Sequence, residues 1–394
     1  MNIKAVGYKL IGNNIIAASV WFGLVLIALM NAYNSHAINN LIIFRQSHFH
    51  LANQTNLYLE YVNEYWDHFY YSPTFGVLVA PFSFLPLGVS VFAWGLFDAG
   101  VLYFAIRQIP ISAQKQNFII LLSANEMMNS ASNMQSNGIM AATIILSFIF
   151  ILQQKEARST AMMLLGFFIK LYSITGLAFF FFSIHKKRFV TSFILIFILL
   201  LLSPLLVTTP TFLFQSYRDW FQALSLKSNF DITVSMYHNM VDITLQGMVK
   251  RVFNLPNLNK WIFIIPGLII FGSQYLYFKH YNNIIYRLYI LCSVLLFIIV
   301  FNTGTESPTY ILGVPAICLW YVLQEKSKWN NIIFITSIFF SSFSYSDIFT
   351  PWLRTQVMMP YALKVLGCFI IWLVIAVQIH TRQFLRLNLT EKSF

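Results

Sequence analysis

A chain of 394 residues that is 58% hydrophobic and 10% charged is excluded from the soluble globular class, in which about a quarter of residues carry charge. Its net charge of +12 does not point to nucleic acid, because Lys and Arg stand in short clusters between long apolar runs. An all-α polytopic membrane protein is implied: helices satisfy their own backbone hydrogen bonds in hydrocarbon, and each needs about 20 apolar residues to cross it.

Lys and Arg mark the cytoplasmic ends of membrane segments. The clusters Lys4 and Lys9, Arg107 and Lys115, Lys155 and Arg158, Lys186 to Arg188, Lys279 and Arg287, Lys326 and Lys328, and Arg382, Arg386 and Lys392 then define a path with both termini inside. The apolar run behind MNIKAVGYKLIGNN has no small-residue cleavage pattern after it and reads as a retained first helix, about 14–33. It leads to a long external loop, about 34–73. Re-entry through 74–107 is divided by Pro81 and Pro86 into a short piece and a full helix. The chain goes out through 117–127, turns in the polar link 125–137 and returns by 139–153. The run 159–184 has positive charge at both ends and Lys170 near its middle, which predicts an in-out-in hairpin of short helices.

Residues 189–209 lead to a second external segment, about 210–258. Membrane segments follow over 261–278, 288–302, 309–324, 331–345 and 361–379, with external turns at 304–308 and 346–360. The expectation is a single integral membrane domain over 1–394 with about eleven to thirteen membrane segments and no internal repeat of the transporter kind. The acids, which took no part in setting that path, sort by it. Glu60, Glu64, Asp67, Glu126, Asp219, Asp231, Asp242, Glu306 and Asp347 fall outside, Asp98 within the bilayer, and Glu156, Glu325 and Glu391 inside. Polar chemistry is therefore expected on the external face.

The most polar and aromatic stretch is NLYLEYVNEYWDHFYYSPTFGVLVAPFSFLP, residues 56–86. If helical, it puts Glu60 with Glu64, and Glu64 with Asp67, on one face. A carboxylate there can take the proton of an acceptor hydroxyl, or simply solvate a surface helix. Asp67 stands out because Trp66, Phe69, Tyr70 and Tyr71 surround it; these rings suit an interfacial belt or a platform for sugar rings. Lys170 is a cation in an apolar run, where ionisable groups are costly and usually functional, although it can also snorkel to an interface. Glu126 and Glu306 are candidates to line the same cavity. Arg218 and Arg354 are external forks suited to phosphate, with Arg218 also able to pair with Asp219. Asp98 reads as a helix-packing group with a partner nearby. Cys292, Cys318 and Cys368 read as small buried residues with no metal-ligand spacing, so no metal or cofactor is assigned and a divalent cation is left open. No Gly-rich phosphate loop, HExxH or GxSxG occurs.

The order of a long first external loop, YYSPTFGVLVAPFSFLP, a helix containing Trp94, QSN (135–137) and FIKLYSI (168–174) resembles glycosyltransferase family 87, polytopic enzymes of the GT-C class. The resemblance covers about residues 35–210 by motif and the rest by hydropathy. It implies inverting transfer of a hexose or pentose, often mannose or arabinose, from a polyprenyl-phosphate donor to a lipid or glycan acceptor on the outer face of a bacterial plasma membrane. It makes Lys170 the lysine of the family's I-K motif and Asn137 the amide of its Q-x-N. Tyr71, Arg45 and an external Arg join them around the substrates. The family often carries an Asp just after the first helix, where this chain has Asn40 in NNLIIF. An amide cannot take that proton, so the base falls to Asp67, Glu64 or Glu60, or activity is lost. Two other classes stand beside this one: a transporter or lipid flippase using Lys170 and Asp98, and a polymerase or ligase of surface polysaccharide.

Overall fold

In the computed structural model, every regular element among the described residues is helical. Those residues are 12–234, 239–346 and 350–387, with the side chains of Asn229 and 231–234 excepted. Lys4, Lys9, Asp347, Glu391 and Lys392, and the side chain of Asp231, lie outside them. Among the described residues four helices, Asn14–Asn34, Leu87–Arg107, Lys186–Leu206 and Ile284–Phe301, are long and apolar enough to cross a membrane. Asn137–Leu152, Leu171–Phe182, Trp261–Leu276, Ser307–Leu323 and Val365–His380 are shorter and apolar. This is the all-α polytopic membrane protein that the composition requires.

The chain divides into two compact units. In the unit formed by residues 22–108 and 127–227, the centre is the Asn137–Leu152 helix, buried at every residue except Phe150 and Leu152. A helix apolar on all faces belongs in the middle of its neighbours, and this one packs against Leu87–Arg107, Glu156–Ile169 and the 3-10 helix Leu171–Phe182. The hairpin expected over 159–184 is present as a break. Lys170 takes an extended conformation (φ −140°, ψ 126°) that ends the Glu156–Ile169 helix, and Leu171–Phe182 folds back along it. Glu156 closes the base of this hairpin: Oε1 accepts from the Ser183 hydroxyl at 3.2 Å and the His185 N–H at 3.3 Å.

The same unit carries the first long loop. Its Asn39–Ala52 helix packs on two short helices, Pro73–Leu78 and Ala80–Ser83. Ser72 caps the first of these, accepting from the Phe75 N–H, and Pro73 follows in the first turn, where its missing N–H costs nothing. Pro81 and Pro86 then separate these turns from the full Leu87–Arg107 helix, as the sequence predicts.

In the unit formed by 1–21, 109–126 and 228–394, the Ile284–Phe301 helix is central and packs against Val365–His380, Gly313–Leu323 and Trp261–Ser273. One chain of its polar groups is paired within the packing. Trp320 Nε1 donates to Gln378 Oε1, Gln378 Nε2 to Gln324 Oε1, and Gln324 Nε2 to the Tyr289 hydroxyl, each at 2.9 Å. Cys292, Cys318 and Cys368 are buried free thiols in these helices.

One expectation changes. The polar stretch 125–137 is a turn only over 133–136, because the Ala113–Ser132 helix continues through NEMMNSAS. Two of its polar side chains are buried instead of solvated, Glu126 and Ser130 at 1% and 0% exposed, and Asn125 Nδ2 donates to Ser342 Oγ at 3.1 Å. The helix stops where Met134 enters the left-handed region (φ 50°), with Gln135 N–H returning to the Ser130 carbonyl.

Candidate active site

Residues 53–72 of the first loop form turns, not a helix, so Glu60, Glu64 and Asp67 do not share a helical face. Each acid has its own setting. Glu64 Oε2 lies 3.0 Å from His50 Nε2, and the His50 ring rests on Tyr61 with centroids 4.1 Å apart. Burial lowers the His50 pKa, against the opposing charge and hydrogen bond of Glu64. Glu60 Oε1 is an exposed partner of His68 Nε2 at 3.3 Å. Asp67 is half-buried; its Oδ1 accepts the His68 N–H at 2.7 Å, and its other oxygen has no hydrogen-bond partner among the described residues.

The loop is anchored at three points. Trp66 N–H donates to Asn39 Oδ1 at 3.1 Å, and Asn56 Nδ2 to Asp219 Oδ2 at 3.0 Å. Trp220 Nε1 donates to the Tyr70 carbonyl at 3.0 Å. Asp219 also accepts from Gln215 at 2.6 Å, so its oxygens serve Asn56 and Gln215. Arg218 itself is exposed.

The end of this loop meets a cation at Tyr71. Lys170 Nζ donates to Asn137 Oδ1 at 2.7 Å and to Gln135 Oε1 at 3.2 Å, and stands 5.9 Å from the Tyr71 ring centroid. Tyr172 also donates to Asn137 Oδ1, at 3.3 Å. Tyr71 is stacked on Phe75 at 4.7 Å and edge-on to Phe44 at 4.9 Å, which holds its ring plane. Lys170 reaches this place because its extended backbone ends one helix, while Asn137 opens the next and Gln135 precedes it in the turn. The two amide oxygens accept from the ammonium and orient it.

Asn40 donates from Nδ2 to the Asn133 carbonyl at 2.8 Å, bracing the start of the turn that carries Gln135 and Asn137. Asp98 accepts the N–H groups of Ile139 (2.6 Å) and Gly138 (3.3 Å), the partner expected for a helix-packing acid. Arg45 donates from Nη2 to the carbonyls of Ser83 (3.1 Å) and Leu85 (2.7 Å), where the chain turns into Pro86. Lys170, Asn137 and Tyr71 are thus brought into one connected set with Asn40 beside it, whereas Arg45 is occupied by backbone. Gln135 and Tyr172 were not singled out by residue type; both lie inside the QSN and FIKLYSI motifs.

Glu126, Glu306 and Arg354 belong to the other unit. Glu126 is paired with Lys364 at 2.9 Å. Lys364 also donates to Ser307 Oγ at 2.9 Å, and its ammonium lies over the rings of Tyr310 (4.7 Å) and Tyr345 (5.4 Å). Glu306 caps the 3-10 turn Ser307–Ile311 in a reciprocal box with Thr309. Arg354 opens the π-helical turn Arg354–Met358. Lys364 escaped the sequence reading; the available signal was a lone Lys in the apolar run YALKVLG.

The helical membrane protein thus holds a lysine between amide oxygens, beside an acid-bearing aromatic loop. Its family is shown directly: the model of glycosyltransferase family 87 matches residues 69–303, more than half of the chain, and the protein belongs to that family. The matched region contains Tyr71, Glu126, Asn137, Lys170 and Arg218; Asn40, Arg45, Glu60, Glu64, Asp67, Glu306 and Arg354 lie outside it. No curated protein matches the chain. The protein is an integral membrane glycosyltransferase.

Proposed function

We propose that this glycosyltransferase moves a mannose-like hexose or a pentose from a polyprenyl-phosphate sugar to a lipid or glycan acceptor, with inversion, on the outer face of a bacterial plasma membrane. Both termini are cytoplasmic in this reading, and residues 1–394 act as one membrane domain with external loops over 34–73 and 210–258. The observation that supports it is the Lys170 ammonium, oriented by Asn137 and Gln135 and set against the Tyr71 ring. A fixed cation in a water-poor setting favours a phosphate that gains charge as its sugar leaves.

In the reaction, Asp67 takes the proton of the acceptor hydroxyl, and that oxygen attacks the anomeric carbon from the face opposite the phosphate. The bond from C1 to the phosphate oxygen breaks, and its electron pair leaves with the polyprenyl phosphate toward Lys170 and an external arginine of the same unit, Arg218. Asp67 is preferred as base because its side chain accepts from a neutral backbone N–H, whereas Glu64 is held by His50 and Glu60 is exposed beside His68.

The test incubates the purified protein with a panel of polyprenyl-phosphate sugars and an acceptor lipid extract, and measures released polyprenyl phosphate. Release with at least one donor, lost in Asp67→Asn while the protein stays folded, is expected. Full activity of Asp67→Asn moves the base to Glu64 or Glu60. Movement of labelled lipid between leaflets, with no donor cleaved, replaces the proposal by a flippase.

A further inference from the structure

The proposed chemistry gives Asp98 no part, yet this acid is buried to 1% exposure in the apolar Leu87–Arg107 helix, where a carboxylate is expensive. Its two oxygens take the N–H groups of Gly138 and Ile139, in the first turn of the Asn137–Leu152 helix. Those groups have no partner within the helix, and negative charge is favoured at that end.

A cap alone does not account for the acid. Ser136 occupies the N-cap position, where a serine oxygen usually serves these donors, but it makes no side-chain cap bond and its buried Oγ has no hydrogen-bond partner among the described residues. The carboxylate has taken over from a residue able to cap at lower cost. The approach is also close: a Cβ on Gly138 would lie 2.8 Å from both the Asp98 backbone oxygen and Oδ2, so glycine is required there.

What the bonds hold in place is specific. The turn that Asp98 grips begins with Asn137, whose Oδ1 takes the Lys170 ammonium at 2.7 Å. The other end of the link is gripped by Asn40, on the Asn133 carbonyl. Residues 133–139 are therefore clamped at both ends, with Gln135 and Asn137, the two amides that orient Lys170, between the clamps.

We propose that Asp98 is a positioning residue, which acts through the first turn of the Asn137–Leu152 helix to hold Asn137, and with it Lys170, in register for the donor phosphate. This rests on the reading of Lys170 as the phosphate-facing cation.

The test is a double-mutant cycle on the purified full-length protein in detergent, with undecaprenyl phosphate as the probe and its Kd as the readout. Lys170→Ala and Asp98→Ala are each expected to weaken binding about 10- to 100-fold, the range of a hydrogen bond to a charged group. The double variant is expected to be within about threefold of the weaker single one, because residues acting through one another are not additive. Asp98→Asn, which keeps one acceptor oxygen, is expected to fall between wild type and Asp98→Ala; if Asp98→Ala does not elute as folded protein, Asp98→Asn carries the same cycle. A merely structural Asp98 lowers the Tm without coupling to Lys170 in the Kd. Additive losses, or wild-type binding by Asp98→Ala, overturn the positioning role and leave the Lys170 reading standing. Wild-type binding by Lys170→Ala, or no binding by the wild type, overturns that reading and this inference with it.

Discussion

Lys364 places its ammonium 2.9 Å from the Glu126 carboxylate, and both side chains are 1% exposed. The pair links residues 238 positions apart, and Ser307 takes part of the remaining donor capacity of the lysine. Charges this deep are kept only by their partners. Lys364→Met strands the Glu126 carboxylate and is expected to cost about 3–5 kcal/mol, read as a fall in Tm of the detergent-solubilised protein. Adding Glu126→Leu should recover most of that loss, since an apolar pair of similar volume carries no desolvation penalty.

Among the loop acids, two neutralising variants are expected to separate. Asp67→Asn should reduce sugar transfer by about 10²–10⁴-fold, the usual contribution of a positioned base, with Tm unchanged. Glu60→Gln, at an exposed site beside His68, should leave the rate within about threefold of wild type, in keeping with the small worth of exposed ion pairs. Initial rates of polyprenyl-phosphate release decide the order.

His50 makes stability depend on pH in one direction. Burial lowers its pKa below the usual 6.5, so the folded state favours the neutral ring while the unfolded chain binds the proton more readily. The stability from the neutral ring is complete above about pH 6.5 and is lost as pH falls toward the lowered folded value. Between pH 7.5 and 5.5 the wild-type Tm should fall by more than that of His50→Gln, in which this titration is absent; equal falls would remove His50 as the cause.

Gly166 sets how closely the hairpin around Lys170 can fold. A Cβ there would lie 2.2 Å from Ser173 Oγ and 2.5 Å from Thr143 Oγ1, too close for either to remain in place. Gly166→Ala is therefore expected to cost about 1–3 kcal/mol, as overpacking does. Lys170 follows four residues later, so transfer activity should fall with stability, and Gly166→Ala with Ser173→Gly should restore part of both.

Much of the architecture is legible along the chain because it follows local rules. Pro81 and Pro86 interrupt the second crossing where prolines must, and charge at both ends of 159–184 announces a hairpin with Lys170 at its break. The resemblance in QSN and FIKLYSI points to the family that the match over 69–303 shows. Local reading failed at NEMMNSASN. Its polarity suggests a turn, but Asn125 and Glu126 find buried partners at Ser342 and Lys364, so the helix runs on to Ser132. The aromatic loop misled in the opposite sense: acids at helical spacing are carried by turns that Asn39, Asp219 and Trp220 anchor.

The sequence by itself determined that the protein lives in a membrane as a bundle of helices, because apolar content and segment length are properties of each stretch taken alone. Only the tertiary structure decided that Asn40 braces a turn, that Arg45 holds carbonyls, and that Asp98 grips the helix whose first residue holds Lys170. A side chain's polarity states that it must find a partner at depth. Which partner it finds depends on how helices far apart in the chain come to pack.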